Sequence, residues 1–361
     1  MTNEMKQTIN LRNQKLIDAV LKKIEVACPG SVDLIGVAGS FAIGDIHEKS
    51  YLDLLIVIND EKAHELSSCF IVEDVGFDFY CSRWDRLESM LAYEDPFCTK
   101  LLQLDIVYQK DDVCLERYTS LRETMKKRLD ATFSVEDAAR VNEQVGEAKR
   151  TFADVMLSAS YEAAKYKSAM MVDCVNYALY MLNKRFVKGG IRRMLEEIRS
   201  FTSRPEHYLD LVNSLAEAST LEAIQLSSQR LMKHSLDYIA AQCESVLREK
   251  TLKQSHIKGM YEEIYSNWLN KMRLAAREGD LYLSWMTAAS CQDWYTDVNG
   301  RLPIQRIEIM VDFDPTDLHA TLAAFEEGMA KVKANYDQLG MPIVHYSSLE
   351  DFEKGYLAVG E

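Results

Sequence analysis

Apolar residues recur every three to four positions through LRNQKLIDAVLKKIEVAC, residues 11–28, and the run stops at Pro29-Gly30. That spacing predicts one amphipathic helix with a sharp end. The pattern then changes to short segments rich in β-branched and aromatic residues: VDLIGVA (32–38), LDLLIVI (52–58), CFIVED (69–74), GFDFYCS (76–82) and LQLDIVY (102–108). Each reads as a strand, and WDRLESMLAY (84–93) reads as a helix between two of them. After about residue 112 the helical period returns and persists almost without proline to Arg277, beginning with LERYTSLRETMKKRL (115–129), with turns expected at Lys188-Gly189-Gly190 and Ser203-Arg204-Pro205. The tail is mixed: IQRIEIMVDF (304–313) and MPIVHY (341–346) read as strands around a capped helix over 314–340. The expected fold class is therefore α+β, a small mixed sheet with flanking helices over 1–112 followed by a mainly helical domain over 113–361, with a subdivision near 250–280.

Composition narrows the function classes. The chain of 361 residues is 47% hydrophobic and 27% charged, ordinary values for a globular protein with a substantial core. Its net charge of −14 and the lack of any long Lys/Arg block argue against a nucleic-acid partner, which needs a cationic face to displace counterions. Eight cysteines without a C-x-x-C pair suggest free thiols, and seven scattered histidines without H-E-x-x-H or H-x-H spacing suggest no zinc site. MTNEMKQTINLRNQ has no apolar h-region and no segment is long enough to span a bilayer, so a cytoplasmic protein without a membrane partner is expected.

The chemistry concentrates in GVAGSFAIGDIHEKSYLDLLIVI, residues 36–58. A strand, a Gly39-Ser40 turn, a loop and a second strand carrying an acid form a mechanically sensible order for triphosphate. Glycine lets the backbone approach phosphate, serine and amide hydrogens bond its oxygens, and a strand carboxylate can hold magnesium. Residues two apart on a strand share a face, so positions 51 and 53 point one way while Leu52, Leu54 and Ile56 point to the core.

Gly39, Ser40, Ala42, Gly44, Asp45, Ser50, Asp53 and Leu54 fit, without a gap, the pattern G-S-x-A-x-G-D followed by S-D-x-D-hydrophobic. The stretch thereby resembles the nucleotidyltransferase superfamily with the DNA polymerase β-like fold, and the layout over residues 32 to about 110 is most similar to aminoglycoside (kanamycin-type) nucleotidyltransferases. The resemblance implies a nucleotidyltransferase-type sheet and transfer of a nucleoside monophosphate from a magnesium-bound nucleoside triphosphate, such as ATP, to a hydroxyl of a small, antibiotic-like acceptor. It implies nucleotide contacts at Gly39 and Ser40, and catalytic metal ligands at Asp53 and at Asp78, the acid of Phe77-Asp78-Phe79. Asp45 is a further metal candidate or a brace for its own loop, and Glu48 could supply a displaced charge. In the resembling enzymes a base comes from the helical domain; Glu143 and Glu147 are the candidates here, against a reading as an ordinary solvated helix face. Some resembling enzymes build the site from two chains, which leaves a homodimer open.

One position departs from the pattern. Tyr51 stands where the first carboxylate of the D-x-D pair is expected, and a neutral phenol is a poor magnesium ligand. An active enzyme with weakened turnover and a catalytically inactive homologue that binds nucleotide or a partner both follow from that substitution. A third class, the minimal nucleotidyltransferases of toxin–antitoxin pairs, is disfavoured by the large fused helical domain and by the Arg-to-His spacings: their helical partners carry four to six residues between the two, whereas Arg204 and His207, Arg230 and His234, and Arg248 and His256 have two, three and seven between them.

Overall fold

The computed structural model describes residues 2–247, 253–301 and 306–357, and the chain divides into two compact units, Met1–Gln242 and Cys243–Glu361. The change of texture near residue 112 falls inside the first unit, and the division lies just before the interval in which a subdivision is expected.

The first unit opens with helix α1 (Asn3–Ala27), capped by the Thr2 side chain, which buries Ile9, Ile17, Val20 and Ile24 on one face. Five strands follow: β1 (Val32–Ala38), β2 (Asp53–Ile58), β3 (Ser68–Val72), β4 (Val75–Ser82) and β5 (Asp105–Gln109). They form one mixed sheet in the order β3-β4-β2-β1-β5, with β2 and β4 parallel and the other neighbours antiparallel. The period of two decides the faces. Leu54, Ile56, Phe77 and Phe79, with Leu52 just ahead of β2, join Ile17, Val20 and Ile24 of α1 in one core. On the sheet Gly36 makes room for Leu104, just ahead of β5, since a Cβ there would lie 2.2 Å from Leu104 Cγ. Short helices α2 (Gly39–Ala42), α3 (Trp84–Ser89) and α4 (Thr99–Leu102) occupy the connections.

From residue 112 the first unit is helical, through α5 (Asp112–Asp130), α6 (Val135–Leu157), α7 (Tyr161–Leu182), α8 (Gly190–Arg199), α9 (Tyr208–Glu217) and α10 (Leu221–Leu247), whose last residues belong to the second unit. Both expected turns separate helices, one between α7 and α8 and one between α8 and α9. The start of α6 is set by a reciprocal capping box between Ser134 and Asp137.

The second unit carries α11 (Gln254–Ile257), α12 (Met260–Ile264), α13 (Asn270–Glu278), α14 (Leu281–Arg301), α15 (Leu318–Gln338) and α16 (Leu349–Leu357). Met272, Tyr295, Phe325 and Tyr336 are among its core residues. Among the described residues neither strand expected in the tail forms; residues 304 and 305 of the first lie outside them. Their backbone groups are satisfied by side chains instead. Gln292 Oε1 accepts from the Ile309 and Met310 amides at 2.5 and 3.2 Å, and its Nε2 donates to Ile307 O. Likewise the Val344 amide donates to Glu262 Oε1 at 2.6 Å. The apolar run is real, but it packs Ile307 and Ile309 into a helical core as irregular chain. No helix among the described residues is long and apolar enough to cross a membrane.

Candidate active site

Asp53 opens β2 and pairs in parallel register with Asp78 on β4, so both carboxylates sit side by side on neighbouring strands, on the face away from α1. On the other side Ala38, the last residue of β1, pairs with Asp53. The chain then turns at Gly39, whose φ of +66° is the left-handed region that disfavours a side chain, and a Cβ there would lie 3.3 Å from Asp53 Oδ2. Glycine is needed at this position for both reasons.

The loop from Ile43 to Leu52 is tied down at several points. The buried Ser50 hydroxyl accepts from the His47 amide at 2.8 Å and from the Ser40 hydroxyl at 3.3 Å, while Arg12 of α1 donates to Ser50 O at 2.7 Å. Asp45 is paired with α8. Its two oxygens accept from Arg193 Nε and Nη2, each at 2.8 Å, and Arg192 approaches at 3.2 Å. The Arg193 hydrogen bond leads the interactions that hold the Asp45 carboxyl below its usual range. These ion pairs tie the Ile43–Leu52 loop to α8.

Gly39, Ser40, Asp45, Tyr51 and Asp53 line one cleft of about 390 Å³. Its facing wall is built from Phe97, Thr99 and Lys100, from Lys188 and Gly189 of the α7–α8 connection and from Gly190 and Arg192 of α8. That wall is fixed by hydrogen bonds from Tyr93 Oη to Arg185 O, from Thr99 Oγ1 to Val187 O and from the Val187 amide to Pro96 O, at 2.5, 2.5 and 3.0 Å. An adjoining cleft shares Tyr51, Asp53 and Lys100 and adds Asp78, Tyr80 and Arg86.

The electrostatics follow from this packing. Burial pushes the Asp53 carboxyl above the usual range, with Lys100 opposing and Asp78 adding to the shift. Burial also pulls the Lys100 ammonium down, while Asp53 leads the charges that hold it up. Tyr51, half exposed, is held as a neutral phenol by burial and then by the charges of Asp53 and Asp78. Arg86, Lys100, Lys188 and Arg192 together outnumber Asp45, Asp53 and Asp78 along the two clefts, a local cationic excess in a chain of net charge −14.

Glu143 and Glu147 lie exposed on α6, outside the residues lining either cleft, and Glu147 is paired with Arg150. Glu48 is exposed on the loop and also outside the lining. Sequence reasoning missed Lys100, Lys188 and Arg192. The run KGGIRR at 188–193 carried a signal, since glycines beside basic residues suit an anion, but it reads first as a plain turn.

Two carboxylates in register suit a single magnesium ion, whereas a two-ion site would need a third. Among the described residues no group of three or more His, Cys, Asp or Glu is placed to hold a metal. Tyr51 and Lys100 line the same cleft as the carboxylate pair.

No family model matches the chain and no curated protein matches it. Among solved structures it is similar to a nucleotidyltransferase-like protein from Exiguobacterium sibiricum 255-15, with 12% identity and a TM-score of 0.32 over 71% of this chain and 89% of that one.

Proposed function

We propose that this protein is a nucleotidyltransferase-fold enzyme of the cytoplasm that binds a magnesium nucleoside triphosphate in the Gly39–Ser40 cleft. Its nucleoside monophosphate goes to a hydroxyl of a small, antibiotic-like molecule, the acceptor class suggested by the sequence resemblance. The observation that carries the reading is the Asp53–Asp78 pair beside the left-handed turn at Gly39, facing a wall with Lys100, Lys188 and Arg192. In the step, the acceptor oxygen bonds to the α-phosphorus and the bond to the bridging oxygen breaks. Pyrophosphate leaves, and the hydroxyl proton passes to a carboxylate or to water. Magnesium, held by Asp53 and Asp78 when bound, would neutralise the triphosphate. Ser40 and the amides of its turn would orient phosphate oxygens, and Lys188 and Arg192 would offset their charge.

Tyr51 favours a second reading, a homologue that binds nucleotide or a partner without turnover, because it removes one anionic seat and with it several kcal/mol, in order of magnitude, of transition-state stabilisation. A panel of hydroxylated compounds, aminoglycosides first, incubated with magnesium and each common nucleoside triphosphate separates the two. Pyrophosphate release with a matching mass gain on one acceptor supports the enzyme. Nucleotide binding without either product supports the second reading, and failure to bind any nucleotide refutes both nucleotide roles.

A further inference from the structure

The position of Lys100 has a consequence beyond lining the cleft. Its helix is held in place on several sides: Leu101 is fully buried, Tyr118 Oη donates to Leu101 O at 2.9 Å, and Thr99 Oγ1 bonds Val187 O. The ammonium lies 3.6 Å from the centroid of the Tyr80 ring, a cation–π contact that orients it without consuming its hydrogen-bond donors. Tyr80 follows Asp78 by two on β4, so ring and carboxylate share a face, and Asp53 stands in register beside them. The charges facing the ammonium are Asp53 and Asp78 on the strands and Arg86 from α3. A fixed monovalent cation thus already stands where the carboxylate pair would otherwise gather positive charge, and the uncharged Tyr51 lines the same cleft.

We infer that Lys100 is a built-in cation that takes the place of one metal ion at this site, so that nucleoside triphosphate is held through its ammonium even when no magnesium is present. The substitution at Tyr51 and the placement of Lys100 are then one arrangement: an uncharged residue replaces a ligand that has no ion left to bind. A phosphate oxygen entering the cleft finds three N–H donors on a pre-positioned stem, which a mobile surface lysine would not offer. The inference rests on the nucleotide-binding reading above.

The test is calorimetric titration of the full chain with ATP, in excess magnesium and in EDTA, for the wild type, Lys100→Met and Lys100→Arg, with circular dichroism to confirm folding. The wild type is expected to bind in EDTA within about 10-fold of its magnesium affinity, and Lys100→Met to lose about 10- to 100-fold of the EDTA binding, the range of a charge-assisted hydrogen bond, while Lys100→Arg retains most of it. Acetylation of the wild type, read by mass spectrometry, gives a measure that needs no variant: ATP in EDTA should protect Lys100. Binding that requires magnesium overturns the inference while leaving the nucleotide site standing. So does a folded Lys100→Met that binds like wild type in EDTA, or an unprotected Lys100 in ATP-bound wild type. Absence of ATP binding under both conditions, with GTP, CTP and UTP also silent, overturns the nucleotide reading itself.

Discussion

Lys184→Met is expected to be among the most damaging single changes in the first unit, although Lys184 lines neither of the two clefts. Lys184 and Asp137 are 9% and 5% exposed, and Lys184 Nζ lies 2.9 Å from Asp137 Oδ2, which also accepts from the Ser134 amide and hydroxyl. Methionine keeps the stem but takes the closest cation from a buried carboxylate at the start of α6, leaving it the Ser134 donors and Arg140 Nη1 at 3.9 Å. Breaking one side of such a pair costs about 3–5 kcal/mol. For a unit of this size each kcal/mol moves the melting temperature by roughly 2–4 °C, so a fall of about 6–20 °C follows. The pH dependence supplies the sharper check. In the wild type burial pushes the Asp137 carboxyl up, but Lys184 and Ser134 outweigh it and the folded value is depressed. Its stabilising contribution is therefore complete above the ordinary carboxylate pKa of about 3.9 and disappears only as pH falls through the lower folded value. In the variant burial acts without the ammonium. The folded value rises relative to the wild type, so the difference in stability is full at neutral pH and fades on acidification. Differential scanning calorimetry from pH 7 down to pH 4 should show the gap between the two proteins narrowing. A gap independent of pH, or a loss below about 1 kcal/mol at pH 7, would refute the argument that the substitution acts by depriving a buried charge of its closest partner. Because Lys184 leads into the wall that carries Lys188 and Arg192, nucleotide affinity should also fall in the variant.

Other expectations concern the cleft directly. Gly39→Ala forces a Cβ into a backbone at φ +66° and to 3.3 Å from Asp53 Oδ2, so stability should drop by about 1–2 kcal/mol in urea titration and nucleotide affinity should drop with it. Asp53→Asn should abolish the magnesium-dependent part of nucleotide binding by calorimetry while the ligand-free protein melts no lower than wild type at pH 7. The physical reason is that burial, opposed by Lys100 and reinforced by Asp78, raises the Asp53 carboxyl, so its charge opposes folding above that raised value and the opposition fades as pH falls through it. Tyr51→Asp should increase pyrophosphate release with a competent acceptor by adding the missing carboxylate; unchanged release would show that Tyr51 is not what limits turnover.

The fold of the first unit was largely legible because its signals are local. The strand expected at 32–38 forms over those residues, the one expected at 52–58 starts at Asp53, and the alternation that sends Leu54 and Ile56 to the core holds. The same local reading failed in the tail. Ile307 and Ile309 alternate like a strand, but whether an apolar stretch pairs depends on a neighbouring strand, and here the Gln292 side chain takes the backbone hydrogen bonds. Helix 84–93 also ends early as an α-helix, at Ser89, with the last turn tightened and Tyr93 at φ 52°.

What the sequence alone determined is most of the elements of the first unit and one half of the candidate site. Period, glycine placement and acid spacing are properties of near neighbours, and they suffice to put Gly39, Ser40 and Asp53 on a turn and a strand end. The tertiary structure decided the rest. Asp78 reaches Asp53 only through parallel pairing of β2 with β4. Lys100 and Arg192 reach the cleft only because the chain returns from 47 and 139 residues beyond Asp53 in sequence. Asp45 is spoken for by an arginine 148 residues away. Charge balance depends on distance in space, which separation along a chain does not encode, so the cation beside Tyr51 could be seen only once the fold had brought it there.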